Sequence, residues 1–247
     1  KGDVYFKKKD DAEAIKVYDQ ALKKYPNAAK ENPNAYYNQA SSYFRQGQYR
    51  ESLDIFKEFL TKFPSHPYAG YAMTRVGELL DILGADSSRV MGAYLETYFR
   101  YGDSPSAVVA RLRLLGARMR SMKPNELDKL VGDMTALAEK SSLPKMGQFS
   151  TLLIADGYTS RGNYDKAIDL LVKFYQANPT SSDTARLNNK IVRNINEKIR
   201  EQVQSGKFID ALRTHNKFAD NWLKTSDRID TKFWVARAFE QAGVFKD

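Results

Sequence analysis

His66 and His215 are the only histidines of the chain, and there is no cysteine. An imidazole acts as a base or a ligand only beside a partner that orients it, and neither histidine has such a partner nearby in sequence. His66 is therefore expected in a loop and His215 half-buried on a helix. The missing cysteines exclude disulfides, thiolate nucleophiles and zinc sites of the cysteine type. The acids at Asp10–Asp11 and Asp227–Asp230 lack EF-hand spacing and accompanying histidines, so they suit solvated turns better than a metal. Neither a Walker-type Gly-Lys-Ser/Thr loop nor Gly-x-Gly-x-x-Gly after a strand occurs. The expectation is a protein that is not an enzyme, with no cofactor and no metal.

One cluster could recognise a partner. Arg111, Arg113, Arg118, Arg120 and Lys123 fall between Asp103 and Glu126 with no acid among them. At 100° per residue Arg111 and Arg118 share one side of a helix, with Arg113 and Arg120 nearly opposite. They flank a stripe of Val108, Leu112, Leu115, Met119 and Met122, with Lys123-Pro124-Asn125 as the following turn. The two readings are arginines that merely extend into solvent and a docking patch for an acidic partner. Lys7-Lys8-Lys9 is placed in a turn between helices.

The chain has 247 residues, 39 basic against 30 acidic, for a net charge of +9. The excess is spread as two, three and four charges over residues 1–100, 101–150 and 151–247. A diffuse excess, with the aromatics on packing positions, argues against nucleic acid. No apolar run approaches the roughly 20 residues of a membrane span, and no signal-type segment opens the chain. Residue 1 is Lys, so the chain is expected to be a piece of a longer protein, with membrane association only through a missing N-terminus or a partner.

Spacing supplies the elements. Gly2, Tyr5, Ala14, Tyr18, Ala21 and Pro26 make one set; Ala40, Tyr43, Gly47, Tyr49, Ser52, Phe56, Phe59 and Pro64 make a second. A third runs Ala155, Tyr158, Gly162, Tyr164, Ala167, Leu171, Phe174 and Pro179. Such intervals build two antiparallel helices: small residues let the backbones approach, and large residues at helical spacing fill the groove beside them. Gly47 and Gly162 suit a left-handed turn after the first helix. Pro64 and Pro179 stop the second.

This pattern resembles the tetratricopeptide repeat (TPR). The resemblance implies an all-α fold, a right-handed superhelical solenoid of antiparallel helix pairs. Strong repeats fall at 1–33, 34–67 and 147–180, and degenerate ones at 68–104, 105–146 and 182–226, giving about six helix pairs in a single array. A half repeat at 228–247 lacks its second helix. A long helix is expected from Ser182 to Ser205, with Leu187, Ile191, Ile195, Ile199 and Val203 on one face.

The junction Phe63-Pro-Ser-His-Pro-Tyr-Ala-Gly-Tyr-Ala72, echoed at 101–110, is similar to bacterial cell-envelope TPR proteins. Those include outer-membrane assembly lipoproteins of the BamD type and Tol–Pal-associated periplasmic proteins. Within the junction Ser65 is placed as a helix cap and Pro67 near the first helical position. The resemblance implies a scaffold of a periplasmic or outer-membrane-associated complex, with candidate machines in outer-membrane assembly, envelope maintenance or motility. The alternative is a cytoplasmic adaptor for an acidic client. TPR ligands lie along the first helices, which implies Asn34, Tyr37, Asn38, Ser41, Phe44 and Arg45 from the second repeat. Tyr71, Thr74, Arg75 and Glu78 come from the third, and Phe149, Leu152, Leu153 and Asp156 from the later copy. The carboxylate-clamp set of TPR chaperone adaptors is met only at Asn38 and Arg75; Asp3 stands where an amide is needed.

Overall fold

The computed structural model describes residues 1–25, 31–178, 184–224, 226 and 228–243. Among them are thirteen helices and no strand. They are α1 (Gly2–Lys8), α2 (Asp11–Lys24), α3 (Pro33–Arg45), α4 (Tyr49–Lys62), α5 (Ala69–Ile82), α6 (Ser87–Arg100) and α7 (Ser106–Met119). There follow α8 (Pro124–Glu139), α9 (Met146–Ser160), α10 (Tyr164–Ala177), α11 (Thr184–Gln204), α12 (Phe208–Phe218) and α13 (Ile229–Gln241). The fold class is all-α, an array of helix pairs. It divides into two compact units, Lys1–Leu114 with Ser141–Pro144, and Leu115–Lys140 with Lys145–Asp247.

Within four of the pairs, a small residue on the first helix shares space with a large one on the second. A Cβ added to Gly2 would lie 2.6 Å from the ring of Tyr18, and one on Gly77 would lie 2.7 Å from Tyr94. Where the small residue is alanine, the opposite residue is smaller than tyrosine. Ala40 shares its core with Phe56, and Ala155 with Leu171, all four fully buried. First and second helices thus keep a close approach by trading volume across the pair. The Ser52 hydroxyl adds a hydrogen bond to the Ala40 carbonyl at 2.8 Å.

The core of the first unit centres on Phe56, Phe59 and Leu79. That of the second centres on α11, whose Leu187, Ile191, Ile195, Ile199 and Val203 are all buried. The spacing of four places them on one face. Gly47 and Gly162 take the left-handed conformation, with φ of 75° and 70°. In the first pair the same duty falls to Lys9, at φ 61°.

Several boundaries differ from the sequence reading. Lys7 and Lys8 complete the last turn of α1, and Lys9 alone makes the turn. Pro124 and Asn125 begin α8, so the turn lies at Arg120–Lys123; a proline at the first helical position has no N–H to waste. The helix after the aromatic-Pro junction starts at Ala69, two residues beyond Pro67. Ser65 and Pro67 instead lie in a tight turn, with Ala69 N–H donating to the His66 carbonyl at 2.8 Å. Pro64 follows the end of α4 as expected, Phe63 leaving the helical conformation at φ −132°. Pro26, Pro179, Ser182, Asp227 and residues 244–247 lie outside the described residues.

Candidate functional site

The first helices of the first unit carry most of the residues expected to meet a ligand, and several are already engaged. Asn38 Nδ2 donates to Asp3 Oδ1 at 3.0 Å, and the Tyr18 hydroxyl donates to the same oxygen at 2.5 Å. The Tyr18 hydrogen bond is the main reason the Asp3 carboxyl lies below its ordinary pKa. Burial, with the Asp3 charge beside it, pushes the Tyr18 phenol up. Arg45 Nε reaches both oxygens of Asp11, at 2.9 and 2.8 Å, while its guanidinium stacks 4.3 Å above the Phe6 ring. Asp11 is 5% exposed, and the Arg45 hydrogen bonds hold its pKa down.

One repeat further, the guanidinium of Arg75 lies 4.2 Å over Phe44 and pairs with Glu78. The other oxygen of Glu78 accepts from Arg113 at 3.0 Å. Arg113, placed by its sequence in a basic docking patch, is thus consumed by Glu78. Arg111, Arg118, Arg120 and Lys123 are exposed, and their side chains make no hydrogen bond or ion pair among the described residues. Arg111 belongs to the first unit and the other three to the second.

Two candidates are closed off by their own helices. The Ser41 hydroxyl donates to the Tyr37 carbonyl at 2.8 Å, and the buried Thr74 hydroxyl to the Gly70 carbonyl at 2.9 Å. What remains open is Asn34, exposed in the first turn of α3, and a row of tyrosines. Tyr37 packs edge-on against Phe56 and Phe59, with ring centroids 5.6 and 5.9 Å away. Its outer side meets Tyr68 at 4.9 Å, and Tyr68 meets Tyr71 at 6.4 Å. Burial raises the Tyr37 phenol. Tyr68 is 41% exposed, Tyr71 is half-buried, and neither hydroxyl has a hydrogen bond among the described residues.

Tyr68 escaped the sequence reading because it precedes the helix. Its signal was the turn chemistry of the junction. His66 Nδ1 accepts the Tyr68 backbone N–H at 3.2 Å, and its ring stands edge-on to Phe59 and Tyr68 at 5.4 and 5.3 Å. Burial lowers the His66 pKa, which keeps that nitrogen an acceptor. His66 thus sets the shelf in place. His215 is half-buried on α12.

In the second unit the residues of the later copy are divided between core and surface ion pair. Leu152 is buried in the core, and Leu153 lies 3.6 Å from where a Cβ on Gly116 would be. Asp156 pairs with Lys190 at 2.5 Å. Phe149 is half-buried. First helices are tied here by buried amides. Asn194 Oδ1 accepts from the Thr159 hydroxyl at 2.6 Å. Asn196 accepts from the Thr231 hydroxyl at 2.9 Å and donates to Asp230 at 2.8 Å. Two residues apart on α11, these asparagines face nearly opposite ways and reach α9 and α13 respectively. At the end of α7, Arg161 donates to the Met119 and Met122 carbonyls at 2.9 and 2.7 Å, capping that terminus.

Among the described residues no cluster of three or more His, Asp or Glu is placed to hold a metal ion, and no helix is long and apolar enough to cross a membrane.

Models of the tetratricopeptide repeat match residues 1–28 and 34–66. The C-terminal part of a TPR repeat-containing protein from Cytophaga hutchinsonii aligns over 99% of this chain and 95% of its own, at 16% identity and a TM-score of 0.50. The apo form of RapI aligns over 98% of this chain and 72% of its own, at 15% identity and a TM-score of 0.54. No curated protein matches the sequence. The chain carries tetratricopeptide repeats at residues 1–28 and 34–66, and repeats of this kind support a protein–protein interaction scaffold.

Proposed function

We propose that the first unit docks an extended or helical segment of a partner protein across α3 and α5, against Tyr37, Tyr68 and Tyr71, with Asn34 at the margin. The observation that carries this reading is the contrast within one face. Its arginines and Asn38 are spent on Asp3, Asp11 and Glu78, whereas two tyrosines keep hydroxyls with no hydrogen bond among the described residues, beside apolar ring edges. Rigid aromatics with a polar tip suit peptide recognition at small entropic cost. A terminal carboxylate is a poor ligand, because Asp3 already holds the Asn38 amide. The protein acts by holding partners, not by catalysis.

The machine we assign is a bacterial envelope complex, in the periplasm or at the outer membrane; the support is the Phe-Pro-Ser-His-Pro-Tyr-Ala junction that carries the tyrosine shelf. Crosslinked capture from the source cells tests the site, with Tyr68→Ala and Tyr71→Ala as the decisive variants. Loss of a specific partner in both, with helicity retained, is the expected result; undiminished capture moves the site elsewhere. Recovery of the protein with the cytosolic fraction contradicts the envelope assignment.

A further inference from the structure

The second helix of the third pair, α6, has an outward face unlike that of its counterpart one repeat earlier. Val90, Ala93, Tyr94 and Thr97 are buried. On the opposite side Ser88, Gly92, Leu95 and Phe99 are exposed, Leu95 at 43% and Phe99 at 77%. At 100° per residue these four fall within about 60° of one another. The same four positions of α4, also 14 residues long, are Arg50, Asp54, Lys57 and Thr61, all exposed. The apolar stripe lies inside the array, with seven helices after it among the described residues. Gly92 is the second anomaly. Glycine weakens a helix interior, yet no internal contact requires it, since a Cβ added there would have nothing within 4 Å.

The two margins of the stripe differ. One is apolar, with half-buried Met91 and exposed Tyr98, whose ring stands edge-on to Phe99 at 5.0 Å. The other carries Arg89, Glu96 and Arg100, all exposed. Glu96 pairs with Arg100 at 2.8 Å, whereas the Arg89 side chain has no ion pair among the described residues. Such a face complements itself. When a twofold axis lays two copies face to face and antiparallel, like margins meet. With the axis between residues 92 and 93, Arg89 stands opposite Glu96 of the second copy, and Glu96 opposite its Arg89. The Met91–Tyr98 margin then meets its own equivalent. A parallel pairing would set the charged margin against the apolar one.

We propose that α6 is the contact through which two copies of this chain form an antiparallel, twofold dimer. Gly92 lets the backbones approach to the short end of the roughly 8–10 Å range of packed helices. Leu95 fills the gap between Ser88 and Gly92 of the second copy, and Phe99 reaches the start of its α6. Each Arg89 gains a carboxylate, so the charged margins attract and fix the register. One helix per copy offers less than the roughly 1,200 Å² of a standard interface, so the dimer forms and dissociates with concentration. The surface is separate from the tyrosine shelf and does not depend on it.

The test is sedimentation velocity of the 247-residue chain from low to high micromolar concentration, with helicity checked in every variant. A monomer–dimer equilibrium is expected, unchanged by Tyr68→Ala and abolished by Leu95→Ser with Phe99→Ser. Arg89→Glu and Glu96→Arg should each weaken the dimer about tenfold or more, and both together in one chain should restore it. The chain has no cysteine, so single cysteines read the register. Gly92→Cys, beside the axis, should crosslink under mild oxidation; Ser88→Cys, about 13 Å from its equivalent along the helices, should not. A chain monomeric at every concentration overturns the proposal and leaves the face to another protein. So does a dimer indifferent to the Leu95 and Phe99 substitutions, or one that the double charge exchange fails to restore.

Discussion

The two units tie successive repeats together with different chemistry. In the first, the ties are ionic and half open: Arg45 on Asp11 and Phe6, and Arg75 and Arg113 on Glu78. The second unit has ion pairs too, Asp156 with Lys190 and Asp165 with Lys198, but adds closed ties, with Asn194 and Asn196 at 4% and 2% exposure bonded to threonine hydroxyls. The difference separates two roles. A buried amide with all partners satisfied fixes register and is costly to disturb. A stacked arginine is screened by salt and tolerates neighbouring groups. The first unit is also the one that leaves tyrosines for a partner.

The largest expected effect falls on the buried amides of the second unit. Asn196→Leu strands the Thr231 hydroxyl and should cost about 2–3 kcal/mol in urea unfolding, with little response to salt. Arg45→Ala comes next. It leaves the Asp11 carboxylate nearly buried, at about 1–3 kcal/mol, and the loss should shrink as salt rises. Its pH signature has a definite sign. Asp11 has a lowered folded pKa, so its contribution is complete above the unfolded value near 3.9 and fades as pH falls through the folded one. The variant should show a flatter acid limb than the parent. Equal salt and pH responses at positions 45 and 196 would erase the contrast.

A matched pair of glycine substitutions sharpens it further. Gly77→Ala meets the Tyr94 ring at 2.7 Å, whereas Gly157→Ala meets the sulfur end of Met119 at 2.5 Å. A stiff ring yields less than a thioether, so Gly77→Ala should cost about 1–3 kcal/mol and Gly157→Ala visibly less by thermal unfolding. The smallest effect is a gain. Lys9→Gly relieves a left-handed residue and should stabilise by about 1 kcal/mol, read as a rise in Tm.

The helix pairs were legible because their determinants are local. Gly2, Ala40 and Ala155 with their large partners, and Gly47 and Gly162 in turns, each act within a few turns of helix. The stripe Leu187–Val203 declared α11 for the same reason. The ties between repeats were not legible. Arg113 looked like a docking cation because Glu78, its partner, is 35 residues away in sequence. Asp3 looked like a misplaced acid because Asn38 could not be seen to answer it. The shelf was half seen: Tyr37 and Tyr71 sit on first helices, but Tyr68 depends on the His66 turn, which shifts the start of α5 beyond Pro67.

The most direct measurement of the account is site-specific photocrosslinking in the source cells, with a photoreactive phenylalanine at position 71 or at Lys57, exposed on α4. A discrete adduct from position 71 that disappears with Tyr68→Ala, and none from position 57, is the expected result. An adduct from position 57 alone, or one from position 71 indifferent to Tyr68→Ala, would contradict it.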